Sequence, residues 1–146
     1  MAGIVTAFAV LAVATVAGLY QRRRAGRLRP AVARPNAARP TVDLTPLGVR
    51  PGIPVTLLQF SSAFCAPCRT TRRVCADIAR RFTGVEHVEV NAEEQLDMVR
   101  RLDIWRTPTV LVVDASGAVV HRATGVPNAA QVIAAVGPLL PAGAAR

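Results

Sequence analysis

The chain has no lysine. All 18 of its basic residues are arginine, set against 9 acidic ones, and the formal charge is +9. Aromatic residues are scarce at 4%, with one Trp and one Tyr, and there are three Cys in 146 residues. So few thiols exclude the disulfide-dense scaffolds of small secreted proteins. No internal repeat is visible, which excludes solenoids and propellers. Basic excess is also missing where a nucleic-acid binder would need it. Residues 1–50 hold eight Arg and one acid, Asp43, whereas residues 51–146 hold ten Arg and eight acids and are close to balanced. A nucleic-acid-binding domain carries its basic excess on its folded surface, so no nucleic-acid partner is expected. Apolar residues, by contrast, are abundant at 51%. That is enough core for one domain, and the length does not comfortably hold two.

Met1 to Tyr20 carries no charged side chain. As a helix this run would be about 30 Å long, the thickness of a bilayer core, so residues 1–20 are expected to form one transmembrane helix. Ala, Gly and Thr dilute the run, which makes it less apolar than a Leu-rich span. A cleaved signal peptide is the alternative. It calls for a basic region before the apolar run, and only the α-amino group precedes this one. Five arginines follow, Arg22, Arg23, Arg24, Arg27 and Arg29. They suit a stop-transfer cluster on anionic lipid headgroups, and they place the rest of the chain on the cytoplasmic side with the N-terminus outside. Six of the eleven Pro then fall between Pro30 and Pro54. That density suppresses helix and favours extended chain. Residues 21–40 therefore read as an Arg/Pro-rich linker and residues 41–146 as the domain, with a short edge strand near Thr41–Leu44.

From Val55 the pattern becomes globular. Val55–Phe60 has the length and apolarity of a buried strand. Ala66–Phe82 reads as a helix with Val74, Ile78 and Phe82 on one stripe. Val85–Val90 reads as a strand. Glu93–Leu102 reads as a helix capped by Asn91, with Leu96, Val99 and Leu102 inward. Thr109–Val113 and Ala118–Arg122 read as a hairpin around Asp114-Ala115-Ser116-Gly117. Asn128 caps a last helix running to about Leu140. The order β-α-β-α-β-β-α predicts an α/β fold, with parallel pairing closed by an antiparallel strand.

The chemistry concentrates at Cys65-Ala66-Pro67-Cys68, where a strand, a short loop and a helix start meet. Two Cys three apart at a helix start can close a small disulfide ring. At the N-terminus, free N–H groups and the helix dipole favour a thiolate, so Cys65 is the attacking sulfur. Cys68, one turn in, resolves the mixed disulfide. Pro67 is tolerated because a first-turn N–H has no helical partner. The pair is also compatible with half of a zinc site or with an inert structural disulfide. The remaining candidates for metal ligands, Cys75, His87 and His121, form no second pair at ligand spacing, so no metal is expected. Cys75 lies about 10 Å along the helix from Cys68, too far for a disulfide. It reads as a buried core thiol. His87 and His121 are assigned no role.

At these residues the chain resembles the thioredoxin family. Phe64-Cys65-Ala66-Pro67-Cys68-Arg69 is similar to the family's W-C-G-P-C-K/R motif. Ile104-Trp105-Arg106-Thr107-Pro108-Thr109 resembles its second signature, which ends in the cis-proline loop, and Gly125 stands where the family has a glycine. The resemblance spans Val55–Leu140. It implies a thioredoxin-like fold, a central mixed sheet flanked by helices, here preceded by the N-terminal transmembrane helix. It also implies thiol–disulfide exchange through Cys65 and Cys68. Pro108 is then cis and faces the two sulfurs, and the Thr107 backbone pairs with an extended substrate. Phe64, Ala66 and Pro67 complete the substrate-binding surface. The chain departs from the family at Ala66 for Gly, at Ser61 where a packing Trp is common, and at Arg73 where a helix Pro is common. It also has Gln59 where a buried Asp assists proton transfer; an amide cannot take up that proton at neutral pH. The segment before Val55 is short for the family's first strand and helix.

The expectation is therefore a single-pass cell-membrane protein exchanging protein thiols and disulfides. It would hold lipid through its N-terminal helix and Arg cluster, and it needs no organic cofactor. Two other readings remain: a non-catalytic thioredoxin-like binding module, and an extracytoplasmic disulfide oxidase or cytochrome c maturation reductase.

Overall fold

A computed structural model describes residues 2–24, 26–31 and 42–144. The elements run α1 (Ala2–Arg24), β1 (Arg29–Pro30), a 3-10 turn (Thr45–Leu47), β2 (Val55–Ser61), α2 (Ala66–Arg81), β3 (Val85–Asn91), α3 (Leu96–Arg101), β4 (Thr109–Asp114), β5 (Val119–Thr124) and α4 (Ala129–Val136). The five strands form one mixed sheet in the order β1-β5-β4-β2-β3. β2 and β3 are parallel, and the other neighbours are antiparallel.

β2 and β4 are apolar on both faces, and each face has its own cover. Leu58, Phe60, Leu111 and Val113 point to one side. There they meet Leu44, Leu47 and Val49 from the proline-rich approach, together with Met98, Leu102 and Ile104 around α3. Val55, Leu57, Val110 and Val112 point to the other, against Cys75 and Ile78 of α2 and Val132 and Val136 of α4. The sheet is thus a filled central layer, as expected for strands alternating with helices.

Four local expectations need correction. The helix expected at Glu93–Leu102 begins only at Leu96, because Asn91 caps a turn instead. Its Oδ1 accepts from Glu93 N at 3.1 Å, and its amide donates to Glu94 Oε1 at 2.7 Å. The later start rotates the helix, leaving Leu96 exposed at 54% while Met98 takes the buried place. The last helix stops at Val136 and continues as a 3-10 turn, Gly137–Leu139, containing Pro138. No strand forms near Thr41–Leu44: Val42–Leu44 is irregular and Thr41 lies outside the described residues. The edge strand is β1 instead, from within the expected linker; it places Arg29 opposite Arg122 and Pro30 opposite His121 on β5. The rest of residues 21–40 is described only in part.

α1 contains 23 residues. Its described side chains from Val5 to Tyr20 are exposed on every side. Among the described residues no helix is long and apolar enough to cross a membrane, so the transmembrane helix expected over residues 1–20 is not found among them.

Candidate active site

β2 runs beneath the sheet's covers and ends at Ser61, so the chain surfaces through Ser62 and Ala63 and turns into α2 at Cys65. Cys65 is the N-cap of α2, in extended backbone, and Pro67 sits in the first turn. The Cys65 sulfur accepts from Cys68 N at 3.1 Å, so one first-turn N–H of α2 is turned on this atom. Cys65 and Cys68 are joined as a disulfide. Cys65 is half-buried, whereas Cys68 is 2% exposed and shielded by its own helix. Phe64, Ala66 and Pro67 are exposed around the pair, Phe64 completely.

The second expected motif lies at the same end of the sheet. The Thr107–Pro108 peptide bond is cis. Phe60, Thr109 and Thr124 sit in one row across β2, β4 and β5, which puts the cis-proline loop beside the end of β2. Ser62 Oγ lies 2.9 Å from Thr107 Oγ1, tying the two loops together. Pro108 is buried, and its carbonyl accepts from Gly125 N at 2.8 Å. Thr107 is half-buried, and Trp105 stands 86% exposed on the same loop, its indole N–H donating to Asp103. The structure thus brings Phe64, Cys65, Ala66, Pro67, Cys68, Thr107 and Pro108 to one end of the molecule.

A buried polar network behind Cys68 was not anticipated. Gln59, wholly buried, points from β2 toward α2. Its amide nitrogen donates to Cys68 O at 3.1 Å and to Ser61 Oγ at 2.7 Å, and lies 3.2 Å from Glu89 Oε1. Glu89 accepts from Ser61 Oγ at 2.6 Å and from Arg72 Nη2 at 3.0 Å. Burial works to raise the Glu89 pKa, but the bonds from Arg72 and Ser61 outweigh it and hold the carboxyl below its ordinary value. Ser61, Ser62, Ala63, Glu89, Val90 and Asn91 line a cavity of about 260 Å³ between this network and the redox loop. His87 Nε2 meets Gln59 Oε1 at 3.1 Å. An amide oxygen only accepts, so Nε2 carries the proton. The parallel register sets Gln59 beside Glu89 and Leu57 beside His87. No local pattern announces such a contact between residues about 30 apart.

Burial pushes the His87 pKa below 6.5, with Glu89 pulling against it. The unfolded chain then takes up a proton below about pH 6.5 that the folded His87 resists. Folding stability should be full above that pH and decline as pH falls through 6.5. Urea titrations at pH 7.5 and pH 5.5 should show this, and His87→Gln should flatten the difference; an equal loss in the variant would assign it to other groups.

Cys75 is wholly buried among Val55, Leu57, Val110 and Ile78. Burial first, and Glu89 second, push its thiol up to about 12. Alkylation of the reduced protein at pH 8 should modify Cys65 and spare Cys75 until denaturant is added, as read by peptide mass mapping. A Cys75 adduct on folded protein would contradict this placement.

The family model for thioredoxin matches residues 50–137, more than half of the chain. The chain belongs to the thioredoxin family. Thioredoxin H5 of Oryza sativa subsp. japonica is 29% identical over 55 residues, 38% of this chain and 41% of that one. The thioredoxin of Mycoplasma genitalium is 29% identical over 69 residues, 47% of this chain and 67% of its own. The chain spans about half the length of several of the curated relatives it matches. Among solved structures, an N21Q thioredoxin from Halobacterium salinarum superposes with a TM-score of 0.57 at 17% identity, covering 68% of this chain and 87% of that one. A thioredoxin from Nicotiana alata does so with a TM-score of 0.53 at 20% identity, covering 60% and 74%. These establish the thioredoxin-like fold, a mixed sheet flanked by helices.

Proposed function

We propose that this thioredoxin is a membrane-tethered thiol–disulfide oxidoreductase acting on protein disulfides. The observation that carries it is the Cys65–Cys68 pair at the start of α2, beside the cis Thr107–Pro108 bond, in a chain of the thioredoxin family. In the reduced form the Cys65 thiolate attacks a substrate disulfide and expels one substrate thiolate. Cys68 then gives up its proton and attacks Cys65 Sγ, which closes the Cys65–Cys68 bond and releases the second substrate thiolate. Two electrons and two protons pass to the substrate, and a dithiol protein restores the reduced pair by the reverse exchange. Thr107 offers its backbone to the extended substrate, while Phe64, Ala66 and Pro67 give it a surface. The proton from Cys68 goes to solvent, because Gln59 offers no carboxylate to receive it.

The tether rests on α1. The side chains described from Val5 to Tyr20 do not by themselves amount to a span, but the charge-free sequence runs from Met1 to Tyr20 and those side chains are exposed on every side. A helix of that kind is stable inside something apolar. The arginines after it oppose passage of the domain across the membrane, so the domain faces the cytoplasm, where the pair acts as a reductant. Insulin-disulfide reduction by purified protein tests the activity; a folded protein that binds partners without turnover would be a docking module instead. Alkaline phosphatase fused after Arg146 tests topology, since it is active only after export. An active fusion would turn the reading toward an extracytoplasmic oxidase or reductase.

A further inference from the structure

The described segment after α1, residues 26–31, is bound to the domain. Gly26 N donates to Thr124 O at 2.6 Å, and Ala31 N donates to Val120 O at 2.9 Å, with β1 paired between them. Leu28 packs against the core beneath α4, and its N–H reaches Gln131 Oε1 at 3.4 Å. Gly26 is required at its place: its φ is +79°, and a Cβ there would lie 1.8 Å from the Val126 carbonyl oxygen. This contact also fixes a direction. β1 is antiparallel to β5, so the chain arrives from α1 at Thr124 and runs away toward Val120. Thr124 stands in the same row as Thr109 and Phe60, and Gly125 is bonded to the Pro108 carbonyl. Gly26 is thus three strand spacings, about 14 Å, from the end of β2 that leads into Cys65. The helix ends at Arg24, two residues or at most about 7 Å before Gly26.

We infer that the redox end of the domain is held against the bilayer surface, and that its substrate is a cysteine pair of an integral membrane protein, placed at the lipid–water boundary. The inference rests on the membrane-tethered reading and names that reading's substrate class. A flexible linker of residues 21–40 would let the domain search freely in solution; the Gly26–Ala31 clasp takes up that slack and leaves only the stretch from Arg24 to Gly26. The side chains at this end suit the position. Phe64 and Trp105 are the most exposed large apolar side chains of the domain; Phe64 directly precedes Cys65, and Trp105 stands on the loop that leads to the cis Thr107–Pro108 bond. Exposed aromatics favour the interface, where the apolar ring and the polar edge are both satisfied. Arg27, Arg69 and Arg106 are exposed and carry charge that anionic headgroups attract. Exchange there needs no new chemistry: the reduced pair becomes the Cys65–Cys68 disulfide, and the partner's disulfide gains the two electrons and two protons.

Trp105 is the chain's single Trp and serves as the reporter. The full chain is reconstituted in phosphatidylcholine–phosphatidylglycerol vesicles, with and without lipids spin-labelled at the headgroup. Trp105 emission should be lost with the labelled lipid. It should return in Gly26→Val, which cannot keep the clasp, and in a chain with a long Gly/Ser insert after Ala25, which keeps the clasp but lengthens the tether. Both variants should reduce insulin in solution as the parent does, which shows them folded. In single-turnover reactions the pre-reduced protein is then given one of two membrane-inserted synthetic peptides. One carries its disulfide beside the apolar segment; in the other a rigid helical spacer raises it about 60 Å. The near disulfide should be reduced about 10²-fold faster, and the long insert should erase the difference. A chain that fails to float with vesicles refutes the tether and this inference together. A chain that floats with Trp105 unquenched, or that reduces both peptides at equal rates, refutes this inference and leaves the tether standing.

Discussion

Cys65→Ser should remove disulfide reduction altogether, while Cys68→Ser should stop it one step later with the substrate still attached. The asymmetry follows from burial and helix position. Cys65 caps α2 and is half-exposed, so only its sulfur can reach a substrate. Cys68 is 2% exposed and can reach only Cys65. Without Cys65 no thiolate attacks, and the rate should fall to that of uncatalysed exchange. Without Cys68 the mixed disulfide has no internal displacing thiol and persists until an external thiol arrives. Cys75 does not substitute for it, because it is buried farther along α2 and its thiol is pushed up to about 12. Insulin turnover, with mass analysis of the trapped adduct, separates the two variants. An adduct on Cys68 in the Cys65→Ser protein would reverse the assignment.

Gln59→Leu should be the most damaging substitution outside the cysteines. It keeps the volume and apolar burial but deletes the amide that meets Cys68 O, Ser61 Oγ, Glu89 and His87. Each buried polar group left unpaired costs about 1–3 kcal/mol. His87 Nε2 loses the acceptor it faces, and the half-buried Glu89 keeps only Ser61 and Arg72. The midpoint of urea unfolding should fall by several times the experimental error, with the slope unchanged. Gln59→Glu retains the shape but sets a second carboxyl beside Glu89, which drives one of the two to hold a proton near neutrality. That variant should resolve mixed disulfides faster while also being less stable. A Gln59→Leu protein as stable as the parent would mean that the amide satisfies little.

Much of this site is legible in the sequence, for identifiable reasons. The Cys-x-x-Cys pair and its place at a helix start are local, and so are the apolar runs of β2 and β4 and the Asn128 cap, whose Oδ1 accepts from Ala130 N at 2.9 Å. What escaped depends on pairing between distant segments. β1 has only two residues, Arg29 and Pro30, and neither has the look of a strand. Its pairing is decided by Leu28 finding the core and by Gly26 fitting under Val126, neither of which is periodic. The link from His87 to Gln59 exists only once β3 lies parallel to β2 in one register. At α3 the difference is local: Asn91 has two uses as a cap, and the turn wins over the helix.

β3 is the outermost strand on its side of the sheet, with no neighbour beyond it among the described residues. Its sequence, Val-Glu-His-Val-Glu-Val-Asn, holds three valines, and an unpaired edge of this kind is open to lateral association between copies. What discourages that is ionic: Glu86 is paired with Arg50 and Glu89 with Arg72, so charge lies along the strand. The bonds from Arg72 and Ser61 hold the Glu89 carboxyl below its ordinary pKa, so that pair persists into acid. If acid does discharge Glu89, Arg72 is left beside β3 with its charge uncompensated, on a chain already at +9, and like charge then holds copies apart. The open edge is thus guarded by paired charges in neutral solution and by its arginines in acid, and one of those pairs, Arg72–Glu89, also belongs to the network behind Cys68.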